Sequence, residues 1–175
     1  PLFGRTNADI LSALFPLLPP ERYPVVDKEK ETLFREILLV DFPEMDGAAE
    51  LIAALDQAGA ALAIGSSAPP ENVQATLDKI SVGKKFQATT NGSEITRGKP
   101  DPEVFIKTAQ KIGVPPSQCV VIEDAPAGVV AAKTAGCAAI ALTGTAPRSK
   151  LTEADLTVDS LRELTAEIIR GLVGA

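Results

Sequence analysis

Short apolar runs alternate with amphipathic stretches from residue 47 to the end of the chain. The runs have the length of buried strands, and the stretches carry apolar residues at the spacing of one helix face. This alternation predicts a mostly parallel sheet with helices on both faces, because consecutive parallel strands need a crossover helix. The predicted strands are 60–64, 86–90, 119–122, 138–142 and 156–158, and the predicted helices are 47–57, 70–80, 102–112, 126–135 and 160–172.

The N-terminal part of the chain follows a different pattern. Apolar residues at helical spacing predict helices over 4–15 and 28–39, and several prolines separate them. No strand pattern occurs before residue 60. We therefore expect a helical segment over residues 1–45 and, over residues 46–175, an α/β core of the Rossmann-like type.

The composition narrows the chemistry that such a core can perform. The chain has 45% hydrophobic and only 4% aromatic residues, which indicates an aliphatic core, and it has no histidine. The absence of histidine excludes Ser-His-Asp and Cys-His nucleophile pairs and His-ligated zinc. Catalysis would have to use carboxylates, lysine, hydroxyl groups or a hard metal ion.

Charge and hydropathy also limit the partners and the location. A net charge of −6 argues against a nucleic-acid or anionic-membrane partner. No apolar run approaches the roughly 20 residues of a membrane span, and no secretory signal precedes the first helix. Cys119 and Cys137 form no C-x-x-C pair and lie in apolar runs. We expect a cytoplasmic protein with reduced cysteines, present as a monomer or a homodimer.

Three sets of polar residues lie at or near predicted strand ends, where α/β sheets bind their ligands. Ser66 and Ser67 follow the first strand, Glu123 and Asp124 follow the third, and Lys99 lies in the loop before a helix. Hydroxyl and backbone N–H groups suit phosphate oxygens, and a lysine neutralises phosphoryl charge. Two adjacent carboxylates suit Mg²⁺, which prefers oxygen ligands.

Each set, taken alone, also has a purely structural interpretation. The serines fit an ordinary turn, and Lys99 fits a solvated loop residue. Asp124 fits a cap for the next helix, with Glu123 facing solvent. Taken together, the three sets favour a site for phosphate and magnesium.

Three segments resemble motifs two, three and four of the haloacid dehalogenase superfamily: 62–67, 98–105 and 120–129. Their order and spacing are similar to the branch that contains β-phosphoglucomutase, phosphoglycolate phosphatase and related sugar-phosphate phosphatases. The resemblance covers nearly the whole chain. Residues 1–45 resemble the later part of the helical cap of this branch, and Gly4-Arg5-Thr6 is similar to its substrate-facing loop.

The resemblance implies a role for each candidate residue. Ser66 would hydrogen-bond the phosphoryl group with Ser67 nearby, and Lys99 would bridge the charges of the nucleophile and the phosphate. Asp124 would bind Mg²⁺ directly or through water, assisted by Glu123. Arg5 would contact the substrate from the cap, although a solvated arginine at a helix start explains it equally well.

The chain departs from the family at the first motif. That motif, Asp-x-Asp-Gly-Thr on an N-terminal strand, supplies the nucleophile and the general acid/base, and it has no match here. The nearest segment, Met45-Asp46-Gly47, has Glu44 where the nucleophile belongs. Either the strand with the nucleophile lies on a segment absent from this chain, or the chain is complete and catalytically dead. We expect the first, because a missing central strand would leave backbone groups of both neighbours unpaired.

The function expected from this resemblance is that of a Mg²⁺-dependent phosphatase. It would hydrolyse a small phosphorylated metabolite, such as a sugar phosphate or phosphoglycolate, through an aspartyl-phosphate. The alternatives are a phosphohexomutase of the same family, or a module that binds phosphate and Mg²⁺ without turnover.

Overall fold

Three helices precede a series of short parallel strands and helices in the computed structural model, which describes residues 7–173. The helices are α1 (Asn7–Leu14), α2 (Tyr23–Val40), α3 (Ala48–Gln57), α4 (Pro70–Lys79), α5 (Glu103–Lys111), α6 (Pro126–Thr134) and α7 (Ala166–Gly171). The strands are β1 (Ala63–Gly65), β2 (Ala88–Thr90), β3 (Val120–Glu123), β4 (Ala138–Leu142) and β5 (Leu156–Val158). The α/β fold class expected from the sequence is confirmed.

The strands form two small sheets, and every strand pair in them is parallel. β1 pairs with β2, with Ala63 opposite Ala88, and β3, β4 and β5 pair in that order. Parallel pairing places the carboxyl ends of neighbouring strands at one edge, so the loops that follow them meet there.

An apolar slot separates the two sheets. It has a volume of about 610 Å³ and is lined along one side by residues 60–65 of β1 and its approach, and along the other by residues 118–123 of β3 and its approach. Within residues 7–173, β1 and β3 each have one edge with no partner strand. Leu51 and Ile169 line one face of the slot, and Phe105 lines the other. The slot therefore has the unpaired strand edges and the apolar walls expected of a strand position in a continuous sheet.

Strand β4 is buried on both faces and divides the core into two layers. Ala139 and Ala141 are fully buried and face α5 and α6, whereas Ile140 and Leu142 face α3 and α7. Side chains alternate between the two faces of a strand, so small residues on one side let the helices pack closely while large ones fill the other side. β4 thus anchors the three-layer arrangement.

A buried polar cluster joins the helical segment to the α/β core. The Asn72 side chain in α4 donates a hydrogen bond to Glu31 of α2 and accepts one from Arg35 at 2.8 Å. Glu31 and Asn72 are almost fully buried. Because α4 begins shortly after Ser66 and Ser67, this cluster links the position of α2 to that turn.

Two helices differ from the sequence-based expectation. α2 begins at Tyr23, five residues before the predicted start, because Pro24 lies in the first turn, where its missing N–H is not needed. The predicted helix over 160–172 is interrupted: a 3-10 turn, Leu161–Glu163, precedes α7. The interruption arises because Thr165 accepts a hydrogen bond from the N–H of Ile168 and starts a new helix.

The longest helix, α2, carries charged residues along its length, from Asp27 to Glu36. In the part of the chain that the structure describes, no helix combines the length and the apolar composition that a membrane crossing requires.

We expect replacement of Ile140 by alanine to lower the free energy of unfolding by about 2–5 kcal/mol, because Ile140 is fully buried and its loss leaves a cavity. Ile140→Val should cost about 0.5–1.5 kcal/mol, since it removes one methyl group. Ile37→Ala, at an exposed position of α2, should change stability by less than about 0.5 kcal/mol. Urea unfolding measures all three, and equal losses for Ile140→Ala and Ile37→Ala would contradict the assignment of β4 as the core strand.

Candidate active site

The candidate site lies at the edge where β1 and β3 end. Ser66 follows the last residue of β1, and Asp124 follows the last residue of β3. Lys99 reaches the same edge from the loop between β2 and α5. The structure therefore joins Lys99 to the end of β3, and the ring of Phe105 links it to the end of β1, which the two serines follow.

The ring of Phe105 connects the end of β1 with Lys99. A Cβ atom on Gly65 would lie only 3.1 Å from Cδ1 of Phe105, so the absence of a side chain at Gly65 lets the ring approach the strand. The Lys99 Nζ atom lies 4.8 Å from the centroid of the same ring, within the range of a cation–π interaction. The contact between Phe105 and Lys99 depends on the tertiary structure, because the loop before α5 must fold back over the helix.

Lys99 is a buried lysine with a buried partner. Its side chain is 8% exposed, and its Nζ atom donates a hydrogen bond to Oε1 of Glu123 at 3.1 Å. The interpretation of Lys99 as a solvated loop residue is therefore wrong. An ammonium group held out of water needs a negative partner, and Glu123 supplies one.

Glu123 does not face solvent, in contrast to one of its sequence-based interpretations. Its side chain is 14% exposed. Burial raises the pKa of this carboxyl group, and the Lys99 ammonium opposes the shift. Gly128 makes this position possible, because a Cβ atom there would lie 1.8 Å from Oε1 of Glu123. The glycine four positions after Asp124, within the segment 120–129, thus has a direct physical role.

The two serines differ in their surroundings. Ser66 donates its backbone N–H to the carbonyl of Thr90 at 2.9 Å, and its hydroxyl accepts a hydrogen bond from the N–H of Ala68 at 3.1 Å. Ser66 thus stabilises the turn, as its structural interpretation expects. The Ser67 hydroxyl oxygen is buried and has no partner among the described residues. An unpaired buried hydroxyl costs about 1–3 kcal/mol, and a phosphate oxygen at this turn would satisfy it.

Asp124 does not cap the helix that follows it. The N-cap position of α6 is Ala125, and no side chain caps this helix. One oxygen of Asp124, Oδ2, accepts a hydrogen bond from the hydroxyl of Thr145. The capping interpretation is therefore wrong, and the sequence pattern contained no signal for Thr145, which lies in the loop after β4.

The carboxylates of Glu123 and Asp124 fit part of a magnesium site. Mg²⁺ binds through one or two carboxylates and keeps several waters, so it does not need a full set of protein ligands. Within residues 7–173, no group of three or more metal-binding side chains lies close together. Of these two carboxylates, Glu123 pairs with Lys99, and Asp124 has no cationic partner among the described residues.

Two other residues from the sequence analysis are not part of this site as described. Asp46, in the segment nearest to the missing first motif, forms a two-pronged ion pair with Arg162 at 2.6 and 2.8 Å. It therefore fastens the start of α3 to the C-terminal part of the core. Arg5, the predicted substrate contact, lies outside the described residues.

Glu103 holds the loop that carries Lys99. Its Oε2 atom accepts hydrogen bonds from the N–H groups of Thr96 and Arg97 at 2.9 and 3.0 Å, and its Oε1 atom contacts Lys107 at 2.6 Å. The hydrogen bond from Lys107 and those from the loop lower the pKa of Glu103 to about 2. These contacts fix the loop from Thr96 onward to the first turn of α5.

Comparisons with known proteins agree with one another. A family model for haloacid dehalogenase-like hydrolases matches residues 4–136. The validoxylamine A 7'-phosphate phosphatase of Streptomyces hygroscopicus subsp. limoneus is 36% identical over 120 residues, and hexitol phosphatase A of Escherichia coli is 36% identical over 121 residues. Each alignment covers 69% of this chain and 56% of the relative, so the chain spans about half the length of these curated relatives.

Solved structures share the fold. The β-phosphoglucomutase of Clostridium difficile superposes with a TM-score of 0.88 at 21% sequence identity. The superposition covers 99% of this chain and 79% of that protein. At this identity the likeness concerns the fold alone.

We expect the Lys99 loop to loosen in acid, because its clamp depends on an ionised Glu103. The pKa of Glu103 in the folded protein lies below its ordinary value of 4.5, so the clamp is fully formed above pH 4.5 and is lost as the pH falls toward about 2. Hydrogen-exchange protection of the Thr96 and Arg97 amides should fall across this interval. In Glu103→Gln the protection of these two amides should be weak at every pH. A fall in protection with acid as large as that of the wild type would contradict the clamp.

We expect Gly128→Ala to lower the free energy of unfolding by about 1–3 kcal/mol, because the new methyl group would overlap the Glu123 carboxylate. Gly171→Ala is the matched control, since a Cβ atom there has no neighbour within 4 Å. That change should raise the free energy of unfolding by about 0.4–1 kcal/mol, because alanine gives the unfolded chain less conformational freedom than glycine. Chemical denaturation of both variants checks the opposite signs, and a Gly128→Ala protein as stable as the wild type would refute the close approach.

Proposed function

Because this chain belongs to the haloacid dehalogenase-like hydrolase family, we propose that it forms the larger part of a Mg²⁺-dependent phosphatase for small phosphorylated metabolites. The family match over residues 4–136 includes all three motif segments from the sequence analysis. Two relatives are named as a hexitol phosphatase and a validoxylamine A 7'-phosphate phosphatase. These names support a substrate similar to a sugar phosphate.

One observation carries the proposal: a buried lysine lies at the strand edge between a hydroxyl-bearing turn and an acidic pair. Lys99 has its charge out of water, where electrostatic interactions are strongest. An ammonium group in this position would neutralise charge on a phosphoryl group and on an attacking carboxylate. The Ser66 and Ser67 turn would donate hydrogen bonds to phosphoryl oxygens.

Asp124 would hold the magnesium ion, with Glu123 nearby and paired to Lys99. When bound, Mg²⁺ would supply positive charge next to the phosphoryl oxygens. Glu123 has a second role in this proposal: its hydrogen bond fixes the direction of the Lys99 ammonium group. The chain has no histidine, and this chemistry needs none.

The slot between β1 and β3 is where we place the nucleophile. A strand that fills the slot in parallel would end at the same edge as β1 and β3, between Ser66 and Asp124. In the resembling family this strand carries the pattern Asp-x-Asp-Gly-Thr. The first carboxylate would attack phosphorus and break the bond to the ester oxygen, and the second would protonate the departing alcohol. Water would then hydrolyse the aspartyl-phosphate to free phosphate.

The test compares the chain alone with a form extended at its N-terminus by a strand that carries Asp-x-Asp-Gly-Thr. We expect only the extended form to hydrolyse p-nitrophenyl phosphate, and only with Mg²⁺ present. Asp124→Ala and Lys99→Ala in the extended form should each lower kcat/KM by at least about 100-fold, since each removes a charge that stabilises the transition state. Release of p-nitrophenol, followed by its absorbance, measures the rates.

The control variant is Asp46→Asn in the extended form, because Asp46 pairs with Arg162 and not with any residue of the site. It should keep the activity of the extended parent. Activity that is unchanged by Asp124→Ala would refute the proposal. Conversion of a hexose 1-phosphate to the 6-phosphate without release of phosphate would instead identify a phosphohexomutase.

A further inference from the structure

We propose that Thr145 is a positioning residue for Asp124: its hydroxyl holds the carboxylate in the orientation that binds a divalent metal. The observation is the hydrogen bond from Oγ1 of Thr145 to Oδ2 of Asp124. This inference rests on the proposed function, because the metal role of Asp124 is part of it.

The topology explains why Thr145 reaches Asp124 across 21 positions of sequence. β4 is the parallel neighbour of β3, so the loop after Leu142 emerges next to the loop after Glu123. The chain then turns at Gly144, whose φ of +123° is a conformation that residues with a side chain rarely adopt. This turn directs Thr145 back over the end of β3.

The loop that carries Thr145 is fastened at its base. Thr143 donates its N–H to the carbonyl of Val158 at 3.0 Å and its hydroxyl to Oδ1 of Asp159 at 2.7 Å. Arg148 forms an ion pair with the same Asp159 oxygen at 3.0 Å. Thr145 therefore sits between two fixed points, and its hydroxyl is presented from a defined backbone.

The hydrogen bond separates the roles of the two carboxylate oxygens. Oδ2 of Asp124 accepts from Thr145, while no described residue is hydrogen-bonded to Oδ1. A donor on one oxygen limits the rotation of the carboxylate and leaves the other oxygen available to a metal ion. In other metal sites, removal of a residue that hydrogen-bonds a metal ligand lowers the metal affinity about 10–100-fold.

Thr145→Val is an informative variant because valine has nearly the shape of threonine and lacks the hydroxyl. Thr145 is exposed, so the new methyl group does not crowd the core. Thr145→Ser keeps the hydroxyl and loses only the methyl group. Thr143→Val is the matched control: it removes a threonine hydroxyl from the same loop, one that bonds Asp159 instead of Asp124.

The experiment measures binding of Mn²⁺ to the N-terminally extended form of the chain by the electron paramagnetic resonance signal of the free ion, with Asp124→Asn as the reference for lost binding. We expect Thr145→Val to raise the dissociation constant about 10–100-fold. Thr145→Ser and Thr143→Val should stay within about 3-fold of the wild type, because both keep the hydroxyl that contacts Asp124. Thr143→Val also keeps the backbone hydrogen bond to Val158 and the Arg148–Asp159 ion pair, which hold the base of the loop without the Thr143 hydroxyl. Thermal unfolding of each variant establishes that it is folded.

The outcomes separate this inference from the proposed function. Wild-type affinity in Thr145→Val, with binding lost in Asp124→Asn, would overturn the role of Thr145 and leave the metal role of Asp124 intact. Equal weakening in Thr143→Val and Thr145→Val would also overturn it, since the loop as a whole would then be responsible. Failure of the unsubstituted extended form to bind Mn²⁺, or unchanged binding in its Asp124→Asn variant, would remove the metal role of Asp124 itself.

Discussion

Parallel strand pairing is the constraint on which the candidate site depends. Because β3 and β4 run in the same direction, Asp124 and Thr145 meet although 21 positions of sequence separate them. On the other side of the slot, Ser66 follows Gly65, which packs against the same Phe105 ring that Lys99 contacts, so the end of β1 lies at this edge too. Antiparallel pairing would send alternate loops to opposite ends of the sheet and would disperse these residues.

The electrostatics of the site centre on one ion pair that is largely removed from water. Lys99 and Glu123 are both mostly buried, and each makes the burial of the other tolerable. Such a pair contributes little net stability, but loss of one partner leaves an unpaired charge in a medium of low polarity. Phe105 and Gly128 serve the same pair: the ring lies under the ammonium group, and the missing side chain makes room for the carboxylate.

The slot connects the fold to the proposed chemistry. Its two edges consist of strand backbone, and its walls are apolar, so an added strand would bury apolar surface and satisfy hydrogen-bonding groups at once. The same strand would bring its last residues to the edge that holds Lys99. Filling the slot and completing the site would then be a single event, which is why we test both with one extended form of the chain.

The sequence by itself determined the class of fold, the bounds of β4 and β5, and the candidate residues Ser66, Lys99 and Asp124. These depend on local periodicity, on turn residues and on short motifs, which are properties of neighbouring positions in the chain. The tertiary structure decided the remainder: Lys99 is buried, Asp124 leaves α6 uncapped, and Thr145 is its partner. It also decided that Pro24 lies inside α2 and that Thr165 begins a new helix. Burial and hydrogen-bond partners depend on contacts between residues that are distant in the sequence. A local sequence pattern contains no information about these contacts.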